Sequence, residues 1–169
     1  MIKLIVLDVD GCLTDGRLIY SAEGYESKNF HVKDGLGITT WIKTGNQVAI
    51  ITGRDSSIVE KRAKELGVQH LHQGIRDKDR VIREIVNRLG LQFYEVAAIG
   101  DDLNDYNMLS LAGRSFTPND GHDEIKKLVD TVLSKSGGNG AVREMIDILV
   151  EENDQKEAFL SVWLEGVSN

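Results

Sequence analysis

Polar side chains follow three apolar segments of the chain, at the point where each segment ends. The three groups are Asp8 with Asp10, Thr52 with Gly53 and Arg54, and Asp101 with Asp102 and Asp105. If the segments end at one place, the carboxylates repel one another and raise one another's pKa. A divalent cation relieves this repulsion, and oxygen ligands favour a hard ion, Mg²⁺ before Zn²⁺. The residues therefore predict a magnesium site.

The elements that must position these groups alternate between strands and helices. Continuous apolar runs, typical of parallel strands covered on both faces, predict strands at 2–7, 48–51 and 96–99, with shorter ones at 68–71, 114–117 and 131–133. Amphipathic patterns predict helices at about 34–45, 55–66, 78–90, 102–112, 120–128 and 139–151, and Gly67 and Gly90 close two of them. This alternation predicts an α/β fold, a doubly wound, Rossmann-like parallel sheet. Ligands of such sheets bind at the carboxyl ends of the strands, where the three polar groups lie.

Two segments depart from the alternation. Residues 16–33 read as a β-hairpin inserted after the Asp pair, with strands at 18–20 and 28–32 and a turn near Gly24. Because a lone hairpin is marginal in water, its apolar side chains predict contact with other subunits, and folding back on its own domain is the alternative. The tail, 154–169, predicts a short amphipathic helix, and periodicity leaves open whether it packs on this domain or on a partner.

Composition sets limits on the class of protein. The 169 residues predict one domain, and the net charge of −7 argues against nucleic acid or an anionic membrane as a partner. We expect a cytoplasmic location, because Cys12 is the single cysteine and the N-terminal apolar run lacks the features of a signal peptide. No apolar run reaches the ~20 residues of a membrane span.

Several other residues have an ordinary interpretation beside a functional one. Asp77 and Asp79 repeat the Asp-x-Asp spacing without a preceding strand, so we interpret them as a helix N-terminal feature. The pair His70 and His72 is read as a strand edge rather than a metal site, and Cys12 as a small packing residue. The glycine-rich residues 137–140 predict a loop before a helix near Ala141, because no Lys-Ser or Lys-Thr follows as in a P-loop. Lys33, Asp34 and Arg143 are candidates for lining a substrate pocket.

Four short motifs resemble those of the haloacid dehalogenase-like phosphatase superfamily. They are "DVDG" with Thr14, "ITGR", Lys78 in "GIRDKD", and "IGDDLND", in the order and spacing of that superfamily. The resemblance implies a phosphatase that forms an aspartyl-phosphate, with Asp8 as the nucleophile and Asp10 as general acid and base. It also implies that Thr52 and Lys78 bind phosphoryl oxygens. The hairpin and one helix fill the interval between the first and second motifs, so we expect a member of this superfamily without a cap domain.

The same resemblance assigns the metal ligands. Mg²⁺ is expected on Asp8, on the backbone carbonyl of Asp10 and on Asp101. Asp102 and Asp105 are expected to orient Lys78 and the metal shell rather than to bind the ion.

At a finer level the chain is similar to the 3-deoxy-D-manno-octulosonate 8-phosphate phosphatases, which act in lipopolysaccharide precursor synthesis. The matching stretches are "DVDGCLTDG", "FHVKDGLGI", "ITGR", "HQGIRDK", "IGDDLND" and "SGGNGAVRE". This resemblance implies a sugar acid phosphate as substrate, with Gly53 and Arg54 in its binding site, and a homotetramer in which the hairpins pack together and a C-terminal segment reaches a neighbouring site. Two alternatives stay open: a phosphatase of nine-carbon sugar acid 9-phosphates, and a phosphatase-like module that assembles with a cytidylyltransferase.

Overall fold

A computed structural model describes residues 1–164 of the chain. Its strands are β1 (Leu4–Leu7), β2 (Ile19–Tyr20), β3 (Glu26–Ser27), β4 (Gln47–Ile51), β5 (His70–His72), β6 (Val96–Ile99), β7 (Arg114–Thr117) and β8 (Thr131–Val132). Its α-helices are α1 (Val32–Lys43), α2 (Ser57–Leu66), α3 (Lys78–Leu89), α4 (Tyr106–Leu111), α5 (Asp123–Leu128), α6 (Ala141–Glu152) and α7 (Lys156–Leu164).

Six of these strands form one parallel sheet in the order β5-β4-β1-β6-β7-β8. The register aligns the ends of its three central strands, because Leu7 of β1 pairs with Ile50 on one side and with Ile99 on the other. Residues that follow β1, β4 and β6 therefore lie at the same edge of the sheet. The alignment is what brings the three polar groups together.

Helices cover both faces of the sheet. Along β1, Ile5 and Leu7 pack into a cluster with residues of α1, α2 and α6, whereas Leu4 and Val6 pack into a second cluster with residues of α3, α4 and α5. Side chains alternate between faces along a strand, so a strand buried on both sides is apolar at every position. The predicted doubly wound α/β fold is confirmed.

The predicted strands agree with the structure to within two residues, but two other predictions differ from it. The helix predicted at 102–112 begins as a 3₁₀ turn, Leu103–Asp105, and the α-helix itself starts only at Tyr106. The second strand of the hairpin is β3 at 26–27, so the strand predicted at 28–32 is wrong. Its residues turn into the next helix, because Phe30 packs against the core and His31 caps α1 by accepting a hydrogen bond from the backbone N–H of Lys33.

The tail helix α7 packs on its own chain. The Trp163 indole donates to Oγ1 of Thr40 on α1 at 2.7 Å, the Lys43 ammonium lies 4.4 Å from the centre of the Trp163 ring, and Phe159 is buried in the core. The last five residues of the predicted tail, 165–169, lie outside the described residues. Among helices of the described part, none has the length and apolar character needed to cross a bilayer.

Candidate active site

A pocket of about 270 Å³ opens at the edge where β1, β4 and β6 end. All three polar groups line it: Asp8 and Asp10, Thr52, Gly53 and Arg54, and Asp101 with Asp102. The structure thus brings together the side chains that the sequence placed at three strand ends. Asn104, which sequence reasoning missed, joins them from the turn after β6.

The loop after β1 holds the Asp8 carboxylate in a fixed place. Gly11 has φ +100°, and a Cβ at this position would lie 2.0 Å from Oδ2 of Asp101, so the backbone and the space both require glycine. The Thr14 hydroxyl closes the loop by accepting hydrogen bonds from the N–H groups of Gly11 and Gly16 at 3.4 and 3.1 Å. Asp8 is itself buried, with its N–H donating to the carbonyl of Ile99.

Lys78 reaches the Asp8 carboxylate from the first turn of α3, and it lines a neighbouring cavity of about 380 Å³ rather than the pocket itself. Its ammonium donates to Oδ1 of Asp8 at 2.7 Å and to Oδ1 of Asp105 at 2.5 Å, and its side chain is 1% exposed. Asp105 accepts from the N–H of Asp101 with its other oxygen at 2.9 Å. Asp105 therefore orients Lys78 and the loop after β6. Asp102, expected in the same role, instead caps the turn at the rim of the pocket by accepting from the N–H of Leu103.

Burial makes the carboxylates of this cluster difficult to ionise together. Burial and the nearby charge of Asp105 raise the pKa of Asp8 to about 7, despite the opposing effect of Lys78. Burial and the charge of Asp8 raise the pKa of Asp101 to about 8. Burial alone lowers the pKa of Lys78, but the carboxylates of Asp8 and Asp105 outweigh it and leave that pKa raised. Such a cluster is short of positive charge, which a divalent cation supplies.

The donor set fits a cation. Carboxylate oxygens of Asp8 and Asp101 lie within 4.8 Å of each other and of the Cys12 thiol. Cys12 is nevertheless fully buried in the core, which agrees with its interpretation as a packing residue. Burial, followed by the charges of Asp8 and Asp101, raises the pKa of this thiol well above its usual value, so it stays protonated. The two carboxylates are the hard ligands that Mg²⁺ prefers.

Arg54 lies at the mouth of the pocket and contacts the hairpin of its own chain. Its guanidinium donates to the Tyr20 hydroxyl at 2.8 Å and to Oε1 of Glu26 at 3.1 Å, while its Nε is buried without a hydrogen-bond partner. From the same hairpin, Lys28 forms an ion pair with Asp10. Sequence reasoning missed Glu26 and Lys28.

Comparisons with known proteins agree with this geometry. Residues 71–146 match the family model of haloacid dehalogenase-like hydrolases. The chain is 39% identical over 158 residues to the 3-deoxy-D-manno-octulosonate 8-phosphate phosphatase KdsC of Haemophilus influenzae, covering 94% of this chain and 88% of that protein. It is 40% identical over 156 residues to the enzyme of the same name from Yersinia pestis, covering 92% and 83%. The chain belongs to this phosphatase family.

Solved structures of the family have the same fold. The 3-deoxy-D-manno-octulosonate 8-phosphate phosphatase of Moraxella catarrhalis, in complex with magnesium, phosphate and KDO, superposes with a TM-score of 0.92 at 41% identity, covering 96% of this chain and 93% of that one. A cobalt-bound form of the Haemophilus influenzae enzyme superposes with a TM-score of 0.90 at 38% identity, covering 95% and 94%. The predicted resemblance is confirmed at the level of family and fold.

The remaining candidates for this phosphatase lie outside the pocket. Lys33 and Arg143 line a separate cavity of about 390 Å³. Asp34 was wrongly expected to line a substrate pocket, because its buried carboxylate accepts from the N–H of Arg143 at the start of α6 and so joins α1 to α6. The glycine-rich residues 137–140 pack on the loop after β1, where Gly138 N–H donates to the carbonyl of Cys12, and α6 begins at Ala141 as predicted.

The pairs Asp77 with Asp79 and His70 with His72, which the sequence analysis did not assign to the site, lie in structural positions. Asp77 caps α3 by accepting a hydrogen bond from the N–H of Arg80 at 3.2 Å, as predicted. His70 and His72 lie on β5 at the edge of the sheet, where the Arg88 guanidinium contacts Nδ1 of His70 at 3.1 Å. Burial and the charge of Arg88 lower the pKa of both histidines. A neighbouring guanidinium makes this a poor place for a cation.

Proposed function

We propose that the chain is a Mg²⁺-dependent phosphomonoesterase that converts 3-deoxy-D-manno-octulosonate 8-phosphate and water into 3-deoxy-D-manno-octulosonate and phosphate. The observation that carries the proposal is the Asp8 carboxylate, buried beside Asp101 and Lys78 and open to the same pocket as Asp10 and Thr52. The names of the relatives supply the substrate and its place in lipopolysaccharide precursor synthesis.

Asp8 is the nucleophile in this proposal. Lys78 donates to Oδ1 of Asp8, so Oδ2 is the oxygen free to attack phosphorus. A bond forms between that oxygen and phosphorus while the bond from phosphorus to the sugar oxygen breaks. Asp10 gives its proton to the departing sugar oxygen, because an alkoxide is a poor leaving group. The product of this first half-reaction is an aspartyl-phosphate on Asp8.

Water completes the reaction. Asp10, now a carboxylate, takes a proton from a water molecule, whose oxygen attacks phosphorus. The bond from phosphorus to Asp8 breaks, and phosphate leaves with Asp8 and Asp10 restored. Lys78 and Thr52 donate to the phosphoryl oxygens in both halves. We assign Asp8, Asp101 and the backbone carbonyl of Asp10 to hold Mg²⁺, which supplies positive charge to the carboxylates and to the phosphoryl oxygens.

Arg54 is proposed to bind the carboxylate of the sugar acid. Its Nε has no hydrogen-bond partner, and the residue lines the pocket. A guanidinium suits a carboxylate because its planar donors match the two oxygens. Gly53, beside it, lines the same pocket and has no side chain, so it takes up little of the space at this wall.

A phosphate-release assay over a panel of substrates tests the proposal. The panel includes the eight-carbon 8-phosphate, a nine-carbon sugar acid 9-phosphate and a neutral hexose 6-phosphate, each with Mg²⁺ and with EDTA. We expect the highest kcat/KM on the eight-carbon substrate, with turnover lost in EDTA. A preference for the nine-carbon substrate would favour that alternative. No turnover of any substrate would favour an assembly module, to be tested by binding to a cytidylyltransferase.

The assembly is proposed to be a homotetramer in the cytoplasm. Apolar side chains of the hairpin region remain exposed in the single chain: Leu18, Ile19, Tyr20, Tyr25 and Val32. Exposed apolar surface of this kind marks interfaces, and closed symmetry is the usual form of such assemblies. Light scattering after size exclusion tests the state, with Tyr25→Glu expected to give smaller species. A monomeric wild-type chain that is fully active would contradict the proposal.

A further inference from the structure

Lys28 is a buried cation beside the pocket. None of the four superfamily motifs includes this residue. Its ammonium lies 2.5 Å from Oδ1 of Asp10 and 3.4 Å from Oε1 of Glu26, and its side chain is 1% exposed. It does not line the pocket that Asp10 lines. Instead it borders a shallow cavity with Phe30 and Arg62, outside the candidate site. Lys28 therefore contacts Asp10 from outside this pocket.

Glu26 fixes Lys28 in this place. One oxygen of Glu26 contacts Lys28 and accepts from Arg54, and the other accepts from the Ser56 hydroxyl at 3.0 Å. Ser56 lies at the start of α2, so the hairpin is joined to the main domain through Glu26. A buried lysine with two carboxylate partners has little freedom to move. Its contact with Asp10 is thus part of the fold and not a passing surface pair.

The contact distinguishes the two oxygens of Asp10. A lysine ammonium has donors only, so Oδ1 of Asp10 must accept. Oδ2 is the remaining oxygen, and it lies 3.9 Å from Nε of Arg54, at the wall of the pocket. Oδ2 is therefore the oxygen of Asp10 that Lys28 leaves free to face a group bound in the pocket.

We propose that Lys28 is a positioning residue for Asp10, which fixes the general acid in the orientation needed to protonate the departing sugar oxygen. The inference rests on the proposed function, because it assigns a role within that reaction. The hairpin then supplies part of the catalytic machinery of its own chain in addition to any role in assembly.

The test compares two leaving groups. An alkyl phosphate such as the sugar acid phosphate needs a proton on its leaving oxygen, whereas p-nitrophenyl phosphate leaves as a stable phenolate. We expect Lys28→Met to lower kcat/KM by about 10- to 100-fold on the sugar acid phosphate, within the range for general acid catalysis, and by less than about 3-fold on p-nitrophenyl phosphate. Lys28→Arg, which keeps a cation at the site, should recover part of the loss. Lys61→Met, which removes an exposed lysine on α2, is the matched control and should leave both values unchanged.

A double variant separates positioning from folding. If Lys28 acts through Asp10, then Lys28→Met combined with Asp10→Asn loses no more kcat/KM than Asp10→Asn alone. Equal losses of the single variant on both substrates, or additive losses in the double variant, would overturn the inference while leaving the proposed function intact. If Lys28→Met does not fold, Lys28→Gln and Lys28→Arg are compared in the same way. A wild-type chain that releases no phosphate from any alkyl ester would overturn both.

Discussion

Removing one carboxylate from the metal cluster is expected to stabilise the metal-free protein at alkaline pH. In the folded chain the pKa values of Asp8 and Asp101 are raised to about 7 and about 8 from an ordinary value of 3.8. The folded chain therefore keeps protons that the unfolded chain releases. The stabilising contribution of these protons is fully present below pH 3.8 and is lost as the pH rises through the two raised values.

The distance between the carboxylates of Asp8 and Asp101 sets how strongly their charges destabilise the folded chain. Their oxygens lie within 4.8 Å, and two unit charges at that separation repel by about 3 kcal/mol at an effective dielectric constant of about 20. Asp101→Asn removes this repulsion. For a chain of this length we expect the melting temperature in EDTA to rise by about 6–12 °C at pH 9 and to change much less at pH 5.

We expect Mg²⁺ to reverse the order of stability of the wild type and Asp101→Asn. Mg²⁺ should stabilise the wild type at pH 9 because it binds the folded chain, and tighter binding should give a larger rise in stability. Asp101→Asn should lose most of this rise because one ligand of the ion is gone. Differential scanning calorimetry with EDTA and with Mg²⁺ measures both effects. Asp123→Asn is the control, since its side chain is 88% exposed, and it should stay within about 0.5 kcal/mol of wild type. The reasoning is refuted if Asp101→Asn is less stable than wild type in EDTA at pH 9, or if Mg²⁺ stabilises both equally.

Two further predictions concern turnover. Asp8→Asn should abolish phosphate release with the fold intact, since an amide does not attack phosphorus, whereas Asp10→Asn should slow phosphate release by about 10²–10⁴. Circular dichroism checks that each variant is folded, and a tenth of wild-type activity in Asp8→Asn would exclude Asp8 as the nucleophile. Gly137→Ala should lower both kcat and melting temperature, because its Cβ would lie 1.8 Å from the carbonyl oxygen of Gly11 in the loop that holds Asp8; its neighbour Ser136→Ala is the control, and an unchanged kcat would show that this contact does not hold the loop.

The sheet and the acidic cluster were predictable because their signals are local. Each of β1, β4 and β6 is apolar at successive positions and ends in polar residues, so strand type and ligand edge follow from a few residues. Asp102 and Asp105 could not be told apart in this way. Both follow β6, and only the 3₁₀ turn decides that Asp105 points inward to Lys78 while Asp102 stays at the rim. That choice depends on packing across 27 residues of chain.

The hairpin was harder to predict because its two sides serve different contacts. Lys28 was predicted only as the first residue of a strand at 28–32, yet its side chain is buried by a contact with Asp10, 18 residues earlier in the chain. Burying a lysine costs free energy unless charged partners surround it, and a sequence pattern does not reveal partners that arrive from another loop. Here the polar side chains turn toward the site and leave Leu18 and Tyr25 exposed outside. One short insertion can therefore contact its own site with one side and leave the apolar side chains of the other side exposed, which is the surface that the proposed homotetramer would bury.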